Sequence, residues 1–263
     1  MISEQELIEK WHTHVFQSVE DDIRDLLVAF PDRRNLSISF EQCGTDYRFT
    51  APLLSDPDRT LEAGRTALAQ FVDQRFDELE TNLRANERLY FRLQDVPDSV
   101  RYPLTSIRSS HLNRLVTVAG TVRSLESPQP RVVTAVFECD RCGEETTVPQ
   151  HDRRLRDTVR CQACQTGTSL RLVPDYCEYV DAQLVQLTDG DRTLPVSLEH
   201  DLTGSVEAGD RLELVTIPRA RLDSETTRAE IELEAVSLDR LPLDEHPEGT
   251  ESAAPVPETD NTV

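Results

Sequence analysis

Lysine is nearly missing from this chain. Lys10 is the only one among 28 basic residues, and these face 49 acids for a net charge of −21. A lone lysine in the first helical stretch rules out the pattern G-x-x-x-x-G-K-[ST], whose lysine reaches the terminal phosphates of a nucleotide, so this sequence offers no P-loop ATPase site. Long apolar runs are missing too, and none reaches membrane-spanning length. The start, Met1-Ile2-Ser3-Glu4, has no signal-peptide character, so the expectation is a cytoplasmic protein with no membrane partner. Acidity of this degree ordinarily argues against nucleic-acid binding. Acid-rich, lysine-poor chains also suit a salt-saturated cytoplasm, where the Debye length shrinks to about 3 Å and only close contacts count. The expectation is a halophilic protein in which local charge is more informative than net charge. Residues 101–160 carry ten Arg against seven acids, the one sustained stretch where bases prevail.

Four of the six cysteines form two pairs, Cys139-x2-Cys142 and Cys161-x2-Cys164, on either side of an 18-residue spacer. Each pair can grip a metal from a tight knuckle, and the spacer lets the second knuckle fold back to complete a tetrahedron of thiolates. This is the spacing of a closed structural Zn2+ site with no open position for chemistry. Gly143 follows the second ligand, where a left-handed turn is needed. A disulfide reading would leave Cys43 and Cys177 over and would need a secretory context; both are expected to be buried free thiols. His151 could also ligate a metal, but four cysteines already fill the shell. His200-Asp201 near Ser197 lacks the nucleophile elbow of a hydrolase.

At 263 residues the chain has room for about two domains. Residues 3–30 read as a helix, with Ile8, Trp11, Val15, Val19, Ile23, Leu26 and Phe30 on one stripe, a Ser3/Glu6 capping box, and Pro31 as the stop. Trp11 on that stripe is expected in the core. Leu36–Phe40 alternates like a short strand, and residues 58–88 return to helical spacing through Leu61, Leu68, Phe71, Leu79 and Leu83. From residue 112 the texture becomes strands: 115–122, 131–137, 179–187, 194–198, 211–215 and 230–235. Short strands in series predict a small closed or nearly closed barrel, with the cysteine knuckles inserted between its second and third strands. Residues 243–263 hold six acids, three prolines and no Lys or Arg, and are expected to be a disordered tail.

The run Leu104-Thr105-Ser106-Ile107-Arg108-Ser109-Ser110-His111-Leu112-Asn113-Arg114-Leu115-Val116-Thr117-Val118-Ala119-Gly120-Thr121-Val122 resembles the N-terminal region of minichromosome maintenance (MCM) replicative helicases. Further likenesses follow at Ala135–Gly143, Val148-Pro149-Gln150, Asp181-Ala182-Gln183, Asp201–Gly204 and Gly209-Asp210-Arg211, so the resemblance spans about residues 90–240. It implies an α+β chain: a helical subdomain over 1–98, an OB-fold β-barrel over 99–136 and 173–242, and an inserted C4 zinc ribbon over 137–172. It also implies ring formation, as a homo-oligomer or with full-length MCM, and binding of single- or double-stranded DNA in replication, without an ATPase motor. The alternative is a subunit that joins or caps full-length helicase rings without touching DNA. The chain departs from the family at Leu194-Pro195-Val196 and at Val215-Thr216-Ile217.

An OB-fold holds single strands with a basic groove and stacked aromatics. The candidates here are Arg123 and Arg131 beside the first barrel turn, Arg192 before the fourth strand, and Arg219, Arg221 and Arg228 on the 217–228 hairpin, which matches the family's channel-facing hairpin. Arg131, Arg219 and Arg221 are expected to line one basic surface, unless local acids balance them. Arg153, Arg154, Arg156 and Arg160 in the zinc spacer could touch DNA or a facing ribbon, or simply be solvated. Tyr176 and Tyr179 could stack bases, although packing in the core or at its rim is the simpler expectation.

Overall fold

The N-terminal apolar stripe folds in three pieces rather than one helix. The computed structural model describes residues 2–76, 89–150, 155–156, 160–161, 163–164, 170–222 and 227–242. Helix α1 (Glu4–Lys10) starts on the expected capping box: Ser3 Oγ accepts from the Glu6 N–H, and the Glu6 carboxylate accepts from the Ser3 N–H at 2.8 Å. A π-helical turn, Trp11–Phe16, follows, and α2 (Glu20–Ala29) restarts after Val19. The wider π turn lets adjacent Val15 and Phe16 both face inward. Helices α3 (Tyr47–Ser55) and α4 (Pro57–Arg75) pack against this strip, and β1 (Asn35–Ser39) pairs in parallel with β2 (Tyr90–Gln94).

Trp11 is fully buried, as its place on the stripe predicts. Its ring lies 4.8 Å from Phe91 and meets Phe49 edge-on at 5.2 Å, while its indole N–H donates to the Thr60 carbonyl at 2.8 Å. A buried indole is stable only when that N–H finds an acceptor. Helix α4 ends at Arg75, so Leu79 and Leu83 lie outside the described residues, as does the 243–263 tail.

Eight strands follow: β3 (Val116–Leu125), β4 (Gln129–Cys139), β5 (Glu145–Pro149), β6 (Leu170–Leu172), β7 (Glu178–Thr188), β8 (Thr193–Glu199), β9 (Arg211–Leu222) and β10 (Ala229–Arg240). Five of them pair in a circuit, β3–β9–β10–β8–β7 and back to β3. Two joins are short. Parallel β8 and β10 share two residue pairs, and β3 meets β7 only from Thr121↔Thr188 to Leu125↔Val185. The barrel is therefore partly open, with Val118, Leu187, Val196, Leu214 and Leu233 buried inside it. Gly120 sits where β3 approaches β7, and a Cβ there would lie 2.8 Å from the Thr188 carbonyl oxygen. An isolated glycine within a strand commonly marks such an approach.

Strand β4 corrects the expectation that 131–137 is the second strand of the barrel. It lies outside the circuit, pairing with β5, β6 and the first half of β7. Helical half and barrel share apolar packing, since Leu115, Val215, Ile217 and Val236 belong to the same buried cluster as Trp11 and Phe71. A second tie is ionic. Arg92 on β2 pairs with Asp201 and donates to the Val236 carbonyl at 2.8 Å, while Asn35 donates to Asp201 at 2.8 Å.

Candidate functional site

Strands β4 and β5 meet in a tight turn that carries the first cysteine knuckle. The Gly143 N–H donates to the Cys139 carbonyl at 2.8 Å and the Cys139 N–H to the Glu144 carbonyl at 3.0 Å. Gly143 has φ of +71°, the left-handed conformation its position after the second ligand predicts. The second knuckle folds back as the spacing requires. All four sulfurs lie within 4.8 Å of one another, with Cys139 to Cys164 at 3.8 Å and Cys142 to Cys161 at 3.5 Å. A Zn–S bond of about 2.3 Å in a tetrahedron puts sulfurs about 3.8 Å apart, so the donor set fits a zinc-sized ion. Disulfides are ruled out at these distances. A backbone hydrogen bond with Glu144 lowers the Cys142 pKa, but the neighbouring sulfurs and burial outweigh it and push the thiol up to about 12. Thiols crowded in this way ionise together only when a cation shares their charge. These four residues could hold the ion in a closed shell, a structural role.

Of the other two cysteines, Cys43 is buried, and burial alone pushes its thiol up to about 12. Cys177 is half-buried rather than buried; its thiol donates to the Val173 carbonyl and its sulfur accepts from the Val136 N–H.

The arginines behave differently. Arg131, Arg219 and Arg221 do come together, in a cleft of about 820 Å³ between α4, the β9–β10 hairpin and the base of the ribbon. None of the three guanidiniums stands open to solvent there, because each faces a carboxylate. Arg219 forks onto Asp58 at the start of α4, with Nη1–Oδ2 at 2.8 Å, and its Nε donates to Glu234 at 2.8 Å. Burial alone would lower its pKa, but the Asp58 hydrogen bonds and the Glu234 charge reverse this and hold it above the ordinary arginine value. Arg221 pairs with Glu232 at 3.0 Å, and Arg131 with Glu199 at 2.7 Å. The three were expected on one basic surface from the strand order, the likeness of the hairpin and the arginines of 101–160; Glu232 and Glu234 face them across the same hairpin, whereas Asp58 and Glu199 come from distant parts of the chain.

Arg192 is also used internally. Its Nη1 donates to the Leu104 and Ile107 carbonyls at 3.0 and 2.7 Å, closing the turn before β3. Arg123 and Arg228 are exposed, and Arg123 makes no ion pair among the described residues. Tyr176 and Tyr179 lie at the surface, outside the core, with the Tyr179 hydroxyl donating to the Pro174 carbonyl at 3.1 Å. Arg160 is exposed; His151, Arg153 and Arg154 lie outside the described residues. The Asp201 carboxylate is engaged by Arg92 and Asn35, and the Ser197 hydroxyl faces Glu199, so no triad forms there.

Sequence reading missed Gln150. Its buried side chain accepts from the Arg156 N–H at 2.6 Å and donates to the Arg156 carbonyl at 3.0 Å, clamping the spacer to β5. It also missed the acidic partners Asp58, Glu199, Glu232 and Glu234. Nothing local marks them in a chain so rich in acids. Gly120 was legible, as a glycine interrupting a β-branched run.

Residues 103–221 match the family model described as the MCM OB domain. DNA replication licensing factor MCM4 of Drosophila melanogaster is 26% identical over 126 residues, covering 44% of this chain and 14% of the relative. The Oryza sativa subsp. japonica MCM4 is 29% identical over 129 residues, covering 44% and 15%. The chain thus spans about 14–15% of the length of the curated relatives it matches. The crystal structure of the N-terminal domain of an archaeal MCM shares the fold, with a TM-score of 0.73 and 24% identity over 91% of this chain and 100% of that one. What is matched is the N-terminal domain of an MCM and not its ATPase motor. The middle of the chain is similar in sequence to the MCM OB domain, and its fold is that of an archaeal MCM N-terminal domain.

Proposed function

We propose that this chain is an MCM-like N-terminal module that binds DNA, assembles as a ring with copies of itself or with longer MCM chains, and acts in DNA replication without hydrolysing nucleotide. The observation that carries this reading is the shared fold, which extends over 100% of the archaeal MCM N-terminal domain and pairs with an OB-domain match over residues 103–221. The relatives' names, DNA replication licensing factors, supply the process. The partly open five-strand barrel is then an OB-fold, and the helices of residues 1–98 and the four-cysteine ribbon are its two attachments. Zinc on Cys139, Cys142, Cys161 and Cys164 would brace the ribbon and supply no reaction. The composition supports work in a salt-rich cytoplasm, and the DNA-binding reading implies the nucleoid within it.

The carboxylates paired with Arg131, Arg219 and Arg221 support a second reading, in which the chain joins or caps longer MCM rings and leaves the DNA to them. The two separate in one experiment. Labelled oligothymidylate is titrated with the full chain from low to molar KCl while light scattering follows oligomeric state. The DNA-binding reading expects binding that weakens with salt and persists longest where the protein is oligomeric, because linked weak sites add. A chain that binds no single strand at any salt, yet co-purifies with full-length MCM, establishes the capping reading instead.

A further inference from the structure

The carboxylates facing the cleft arginines differ in how firmly they are placed. Glu232, against Arg221, has a side chain only 3% exposed, a permanent counter-charge. Asp58, against Arg219, is 56% exposed at the start of α4 and can swing into water. The fork that Arg219 makes with Asp58 is also the fork a guanidinium makes with a phosphate. Arg131 is incompletely satisfied. Its Nη2 meets Glu199, but its Nε is buried and meets no acceptor among the described residues. A buried donor without an acceptor is costly, and a ligand oxygen would relieve it.

We propose that the cleft is a masked phosphodiester site, in which Asp58 and Glu199 stand where backbone phosphates of a nucleic acid would sit on Arg219 and Arg131. This rests on the DNA-binding reading above and adds its regulation: the strand must displace two internal carboxylates before these arginines engage it. Displacing Asp58 also removes an ion pair between α4 and the hairpin.

The test uses the full chain and labelled oligothymidylate over a KCl series. The masking carboxylates are neutralised isosterically in Asp58→Asn/Glu199→Gln, with Asp58→Asn alone as the milder variant should the pair fail to fold. Asp22→Asn/Asp25→Asn, on the exposed face of α2, changes net charge equally far from the cleft. The unmasked variant should bind at least about tenfold tighter than wild type at equal salt, and its log–log salt slope should steepen by roughly 1.4, two contacts at about 0.7 each. The α2 control should stay within about twofold of wild type. Adding Arg131→Ala and Arg219→Ala to the unmasked variant should abolish the gain. Wild-type binding with no gain on unmasking, a gain matched by the α2 control, or a gain that survives loss of both arginines overturns the masking and leaves the DNA-binding reading standing. If no variant binds DNA at any salt, that reading falls and the masking with it.

Discussion

The cysteine knuckles and the arginine cleft were both picked out as clusters of one residue type, and they turned out differently. The four thiols converge to 3.5 and 3.8 Å contacts, the spacing of a metal-sized site. The three arginines converge as well, but each meets a carboxylate. The contrast follows from composition. Thiolates gathered within 4.8 Å need a cation, and a zinc ion fits that spacing. Guanidiniums need an anion, and 49 acids supply many. A residue cluster predicts an external ligand only when the chain holds no internal one.

The largest effect should come from the side of the contrast that depends on an outside ion. Freshly purified protein should carry one zinc per chain by elemental analysis, and Cys161→Ser or strong chelation should unfold the β4–β6 ribbon. Structural zinc contributes roughly 10–16 kcal/mol of apparent binding free energy in small zinc-finger peptides, far more than a ribbon of this size gains from its own packing. Hydrogen exchange should show ribbon amides opening while the five-strand circuit stays protected. Absence of stoichiometric metal would break the comparison at once.

Next is Arg92, the arginine most fully committed to the fold, with 13% and 9% of the side chains exposed in its pair with Asp201. Arg92→Ala leaves a carboxylate buried with only Asn35, and should cost about 3–5 kcal/mol in denaturant unfolding. A smaller loss, about 0.5–1.5 kcal/mol, is expected for Arg192→Ala, which removes one donor from each of the Leu104 and Ile107 carbonyls and leaves them the Ile107 N–H and Arg108 Nη1. If Arg192→Ala left stability untouched and weakened DNA binding instead, that residue would move to the ligand-facing side of the comparison.

The smallest effect is acid sensitivity at the surface. The Lys10 hydrogen bond, with the Arg48 backbone N–H, holds the Asp46 carboxyl below its usual range. A depressed carboxylate stabilises the fold above its unfolded pKa and loses that contribution as pH falls through its folded value. Lys10→Met should therefore lower stability slightly at neutral pH and flatten the profile below about pH 4, where the wild type loses the same contribution and the two proteins converge, as thermal melts across pH would show.

What the sequence made legible was what depends on near neighbours. The Ser3/Glu6 capping box, the Trp11 stripe, the Gly143 turn and the positions of most barrel strands rest on contacts a few residues apart. Where placement depends on distant partners, local pattern ran out. Strand β4 carries a β-branched apolar run like that of a barrel strand, yet it pairs with β5 and β6, and local composition does not say which strand lies alongside. Helix α3 was hidden by Pro52 within it, and β2 was hidden by its shortness, although Tyr90–Gln94 alternates. The Arg219–Asp58 pair joins residues 161 apart in sequence, so no window could hold both.

The salt slope of single-strand binding by the wild-type protein decides whether most of the candidate arginines are already satisfied within the chain. Of the six, only Arg123 and Arg228 are exposed and only Arg123 makes no ion pair among the described residues, so log K against log salt should fall with a slope of roughly −0.7 to −1.4 per bound chain, one or two contacts at about −0.7 each. A slope near −4 per chain, as all six arginines on phosphate would give, would contradict it.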